Sequence, residues 1–178
     1  MTRLLLLLLA LTTFGCAQSK AAYALKLSVD TVRSTYRIAD TMMLRASLTN
    51  IGSADVYLWH WDLCWGASGL SMQIVDRGTG HPVQSQALLD CVPAPPRRGD
   101  VCAFSRLQPG EFMGVETRFK LSDFVNKPGD YDVRLQFRSS LNDTQLNTYL
   151  SGDPIAGKYV WTRGDGVITA PVVRIAVK

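Results

Sequence analysis

The sequence predicts an all-β fold, an antiparallel β-sandwich of two packed sheets. Three observations predict it. Apolar and polar residues alternate with period two in successive short runs. Turns rich in Pro and Gly separate those runs. No long stretch carries the apolar repeat of a helix, so strands follow strands without helical crossovers.

The runs come in order. Leu25, Leu27 and Val29 alternate with Lys26, Ser28 and Asp30. Met42, Leu44, Ala46 and Leu48 alternate with Met43, Arg45, Ser47 and Thr49, and Asn50-Ile51-Gly52-Ser53 ends that strand. Leu70–Val75 is followed by Asp76-Arg77-Gly78-Thr79-Gly80, a hairpin signal leading to the stretch around Val83. Gln108-Pro109-Gly110 precedes a run whose inward row is Met113, Val115, Thr117, Phe119 and Leu121. Ser122–Val125 reads as one helical turn capped by Ser122. Lys127-Pro128-Gly129-Asp130 turns the chain into Tyr131, Val133, Leu135 and Phe137. Asn142–Lys158 is polar and punctuated by Gly and Pro, and reads as an excursion between the last strands. Gly164-Asp165-Gly166 precedes the closing row Val173, Ile175 and Val177.

The N-terminus reads as an export leader. Arg3 precedes six consecutive leucines, Leu4 to Leu9, and the run gives way to small and polar residues from Thr12. The apolar stretch is too short to span a bilayer, which takes roughly 20 apolar residues. Gly15-Cys16-Ala17 offers two exits: cleavage after Ala17, or a bacterial lipobox in which Cys16 becomes the lipidated first residue. Residues 1–17 are thus expected to be the leader and residues 22–178 one sandwich domain. The protein is expected in the periplasm or at the cell envelope, touching membrane only through a lipid on Cys16.

Composition narrows the function classes. The 178-residue chain is 47% hydrophobic and 19% charged, with a net charge of +4 dispersed along its length. That balance is ordinary for a globular protein and argues against nucleic acid as a partner. Of the four cysteines, Cys64, Cys91 and Cys102 lie beyond the leader. Export favours at least one disulfide. Cys91–Cys102 is the favoured pair because it closes one short segment, with pairing through Cys64 as the alternative.

Three features nominate sites. The first is Trp59-His60-Trp61-Asp62-Leu63-Cys64-Trp65. As a strand it would place Trp59, Trp61 and Trp65 on one face and His60, Asp62 and Cys64 on the other. The aromatic face would be core, or exposed for stacking against a ligand. The imidazole, carboxylate and thiolate could hold a transition metal; a solvated strand end is the plainer reading. The second is Cys91–Cys102, where three prolines and the pair Arg97 and Arg98 form a stiff basic segment. A disulfide across its ends would pre-organise it as a proteinase-inhibitor loop with Arg97 or Arg98 for a trypsin-like pocket. The third is Arg-Gly-Asp, at Arg98–Asp100 and Arg163–Asp165, which reads as turn chemistry in both places. Asn142-Asp143-Thr144 fits a glycosylation acceptor.

Tyr131 opens a strand after a Pro-Gly turn, the placement of the tyrosine corner of immunoglobulin-like sandwiches. Together with Thr49-Asn50-Ile51-Gly52, Leu107-Gln108-Pro109-Gly110-Glu111 and Lys127–Val133, it makes the chain from Leu25 to Val177 resemble exported bacterial immunoglobulin- or fibronectin-III-like domains. It is similar to the modules that accompany deuterolysin-type proteases and to BsuPI-type proteinase inhibitors. The HExxH of a zinc protease is absent, so the resemblance implies fold and no catalysis. Nucleophile elbow, phosphate loop and paired-carboxylate signatures are also absent. The expectation is therefore an exported, non-catalytic binding or envelope-associated protein, with no cofactor and with protein as its partner. A proteinase inhibitor and a metal-binding protein are the alternatives.

Overall fold

A computed structural model describes residues 22–63, 69–83, 103–150 and 157–178. Its strands are β1 (Leu25–Thr31), β2 (Thr35–Tyr36), β3 (Thr41–Asn50), β4 (Val56–Trp59), β5 (Gly69–Asp76), β6 (Phe104–Leu107), β7 (Phe112–Lys120), β8 (Gly129–Arg138), β9 (Ile168–Thr169) and β10 (Val173–Val177). One helix, α1 (Asp143–Leu150), lies between β8 and β9. Among the described residues no helix is long and apolar enough to cross a membrane.

The chain is an all-β, antiparallel immunoglobulin-like β-sandwich. One sheet runs β1-β3-β7 and the other β2-β10-β8-β5, with β9 also on β8. The first strand region changes sheets: β1 pairs antiparallel with β3, and β2 pairs parallel with β10. The alternating rows meet between the layers. Leu27, Met42, Leu44 and Leu48 from one sheet and Leu70, Ile74, Val133, Leu135 and Phe137 from the other are fully buried in one core.

The turns follow the residues that nominated them. Gly80 and Gly110 adopt φ of +71° and +83°, the left-handed region that favours glycine. Asp76 accepts from the Gly78 and Thr79 amides and pairs with Lys127 at 2.8 Å, closing the β5 turn. Tyr131 forms the corner: its ring is buried and its hydroxyl donates to the Lys127 carbonyl at 2.9 Å.

The β3–β7 ribbon does not end at Asn50. It kinks and continues as β4–β6, with Val56 opposite Leu107 and Trp59 opposite Phe104. Asn50 is 0% exposed and holds the kink. Its side-chain Nδ2 donates to the Ala54 and Leu107 carbonyls at 2.8 and 2.9 Å, and its Oδ1 accepts from the Gly52 amide at 3.0 Å. Its backbone N–H donates to the Glu111 carbonyl and its carbonyl accepts from the Gly110 amide. Gly52 is obligatory here, because a Cβ would collide with the Ala22 carbonyl oxygen.

Three elements differ from the sequence expectation. The strand expected to run through Trp65 ends at Trp59, and a 3-10 turn covers His60–Leu63. The turn near Ser122 spans Leu121–Asp123, so Ser122 lies inside it and Lys120 occupies the cap without a side-chain bond. The excursion after β8 contains α1, begun by a reciprocal cap in which Asn142 accepts from the Gln145 amide and Gln145 accepts from the Asn142 amide.

Asn50→Ala would strand three buried backbone groups that its carboxamide now satisfies. It is expected to lower stability by about 2–4 kcal/mol in urea unfolding. Tyr131→Phe removes one hydrogen bond and keeps the ring, so its expected loss is about 1 kcal/mol. Equal losses for the two would show that the kink is not special.

Candidate functional site

The segment nominated for metal or aromatic binding is largely drawn into the interior. Trp59 is 4% exposed and packs with Ala103, Phe104, Leu141 and Val160 in a small second core. Its indole N–H has no printed acceptor within that core. Leu63 is buried and His60 is exposed. The side chain of Trp61, together with Trp65 and Cys64, falls outside what the structure describes. So do Arg97, Arg98, Cys91, Cys102, Cys16 and the first Arg-Gly-Asp. The metal, inhibitor-loop and disulfide readings therefore have no geometry here.

Asp62 is 0% exposed. Its Oδ2 accepts from the Ser139 hydroxyl at 2.7 Å, and its Oδ1 accepts from the Ser140 amide at 3.0 Å and hydroxyl at 2.9 Å. The bonds join the 3-10 turn after β4 to the end of β8. Burial, opposed by these hydrogen bonds, raises the Asp62 carboxyl from 3.8 to about 6. Both oxygens are engaged, so a metal would have to displace the serines. Among the described residues no three His, Cys, Asp or Glu side chains gather as a metal site.

The second Arg-Gly-Asp is a structural turn at the same end of the molecule. Thr162 caps the 3-10 turn Arg163–Asp165, and Asp165 reaches back to the Thr162 amide at 2.7 Å. Asp165 also accepts from the Tyr159 hydroxyl, and Tyr23 stacks on the Tyr159 ring at 3.8 Å. Arg163 donates to the Ser140 carbonyl at 3.4 Å.

An open groove lies elsewhere, on the outer face of the β1-β3-β7 sheet, with a volume of about 490 Å³. Strand register assembles it. Ser28, Ser47 and Gly114 face one another across the three strands and form its floor. One register step along, Asp30, Arg45 and Glu116 form a charged rim. Arg45 pairs with Glu116 at 3.0 Å and Arg118 pairs with it at 3.2 Å. Those two guanidiniums, Arg45 first, hold the Glu116 carboxyl below its ordinary value. On the opposite rim stands Phe112, 71% exposed.

Sequence reasoning missed this groove. Its one linear signal was Phe112, an aromatic residue on the outward phase of a strand whose inward row begins at Met113. The rest appears only when three strands are placed in register.

No family model matches the chain, and no curated protein matches it significantly. Among solved structures the chain is similar to a β-glucosidase from Erythrobacter marinus, at 12% identity over 88% of this chain and 16% of that one, with a TM-score of 0.40. It is similar to the CARDB domain of a Pyrococcus furiosus protein, solved in complex with di-metal ions, at 8% identity over 88% and 90% of the two chains (TM-score 0.38). It is also similar to Spo0M, a sporulation control protein from Bacillus subtilis, at 14% identity over 87% and 49% (TM-score 0.43). The chain thus spans only 16% of the glucosidase's length, and no ligand or activity passes to it from any of the three.

Asp62 generates a pH prediction. Its folded value lies above 3.8, so its contribution to stability is complete below that value and is lost as pH rises through about 6. Asp62→Asn can keep the three contacts, with Oδ1 toward Ser140 and Nδ2 toward Ser139, and does not ionise. The wild type is expected to lose about 3 kcal/mol relative to Asp62→Asn as pH rises from about 4 to about 7, measured by urea unfolding at each pH. Parallel stability curves would refute the assignment.

Proposed function

We propose that the chain is an exported, non-catalytic binding module of the cell envelope that takes its ligand in the outer groove of the β1-β3-β7 sheet. The groove carries the reading. Its volume of about 490 Å³ lies within the roughly 300–1,000 Å³ of small-ligand sites. An exposed aromatic ring and a row of fixed charges flank a floor without large side chains. The face costs the fold little, because the residues that seal the core point the other way.

The leader-like N-terminus supports export, and the turn motifs shared with exported sandwich modules and BsuPI-type inhibitors support a role without catalysis. The inhibitor and metal readings depend on Arg97, Arg98 and Cys64, which lie outside the described residues, and no observation favours them over the groove.

The test is retention on isolated cell envelopes, with Cys16→Ala in every sample so that no lipid supplies the attachment. The protein is expected to sediment with envelopes. Ser47→Leu, which fills the groove floor from an outward position, is expected to leave it in the supernatant. Equal sedimentation of the two, or none by either, would overturn the reading.

A further inference from the structure

The geometry points to a neutral saccharide as the ligand of the outer groove, an inference that rests on the binding-module reading above. Four features of the groove select this chemistry.

The first is the state of the backbone. β3 forms the middle of its sheet, paired with β1 on one side and β7 on the other. Its N–H and C=O groups are engaged in those ladders. A guest lying on this face meets side chains alone, so an extended peptide cannot bind here by adding a strand. A ligand that carries many hydroxyls of its own has no need of backbone partners.

The second is charge. The outer rows place two guanidiniums, Arg45 and Arg118, beside two carboxylates, Asp30 and Glu116. The local sum is zero, which gives no attraction for an anionic or cationic ligand. The same groups are strong fixed donors and acceptors, and the Glu116 ion pairs hold their geometry. Adjacent carboxylate and guanidinium groups can hydrogen-bond neighbouring hydroxyls of one ring as acceptor and donor.

The third is Phe112. It is the most exposed of the large hydrophobic residues and stands over a polar floor. A sugar ring is amphipathic in the matching sense, with a C–H face for the aromatic ring and a hydroxyl edge for the polar groups. An aromatic anchor supplies a large contact area through few rotatable bonds.

The fourth is the shape of the floor. Gly114 leaves the centre open, and a Cβ there would stand 3.1 Å from the Ala46 carbonyl oxygen. From Phe112 to Glu116 the groove runs about 13 Å along β7. That length suits a short chain of sugar units better than a single ring.

The test titrates the purified protein with neutral cello-, chito- and malto-oligosaccharides and follows amide NMR signals. At least one series is expected to shift Ser28, Ser47 and Gly114. Phe112→Ala is expected to weaken that binding about tenfold, and Phe112→Trp to restore it. Ser47→Leu is expected to abolish it, and added salt to leave it unchanged. Phe112 is exposed, so its variants test the site even if Ser47→Leu fails to fold. Binding indifferent to Phe112→Ala would place the sugar elsewhere and overturn the assignment. If no neutral sugar binds but envelope retention still depends on Ser47, the ligand class is wrong and the binding-module reading stands. That outcome would include a protein or a charged polymer as the true occupant. If envelope retention is also independent of Ser47, both readings fall.

Discussion

The buried carboxamide of Asn50 is the interaction on which the rest of the molecule depends. A sheet that twists cannot continue indefinitely as one flat ribbon. Here the β3–β7 ribbon kinks at Asn50 and passes into β4–β6, and the kink leaves backbone groups without ladder partners. Asn50 satisfies those of Ala54, Leu107 and Gly52 with one side chain. An apolar residue there would strand them in the interior, at a cost of roughly 1–3 kcal/mol for each buried group. The chain beyond the kink carries Trp59 into the second core and Asp62 to Ser139 and Ser140. The placement of that whole end of the sandwich thus begins with one amide.

Asn50 and Asp62 show two ways of burying polarity. The carboxamide offers donors and an acceptor and meets both, so no charge has to be desolvated. The carboxylate accepts three hydrogen bonds, yet desolvation outweighs them and raises its pKa to about 6. The Asn50 junction is therefore indifferent to pH, whereas the Asp62 junction is tighter when protonated. Arg163 adds a contact to the Ser140 carbonyl, so the junction also holds the turn that a linear motif would assign to a receptor. Asp165 of that turn is engaged by Thr162 and Tyr159.

How much of this was legible in sequence depends on whether a feature is local. The long strands were, because period-two alternation and turn residues are properties of adjacent positions. So was the Tyr131 corner, whose acceptor is only four residues away. β2 and β9, at two residues each, are too short to show alternation. The Trp59–Trp65 stretch alternates as a strand should, but the 3-10 turn at His60–Leu63 overrides the pattern, and Asp62 is held there by serines of β8's far end. The helix after β8 had a local signal in Asn142 and Gln145, three apart, though the segment's polarity gave no apolar stripe to support it. Asn50 looked like turn chemistry; its burial follows from Leu107, far along the chain.

The groove lies at the opposite extreme, since Ser28, Ser47 and Gly114 become one floor only through two strand pairings. That non-locality is also why the fold can support it. Each strand of an antiparallel sandwich contributes alternate residues to the core and leaves the others facing water. On β3, Met42, Leu44, Ala46 and Leu48 seal the interior, while Arg45 and Ser47 are free of that duty. Changes in the outward phase alter the surface without opening a cavity, so a recognition site there is decoupled from stability. The loops at the sandwich ends are different, because the Asp62 and Asp165 turns hold the strands that flank them. In this chain the sheet face, more than the structured loops at that end, is where binding chemistry can change without unfolding the scaffold.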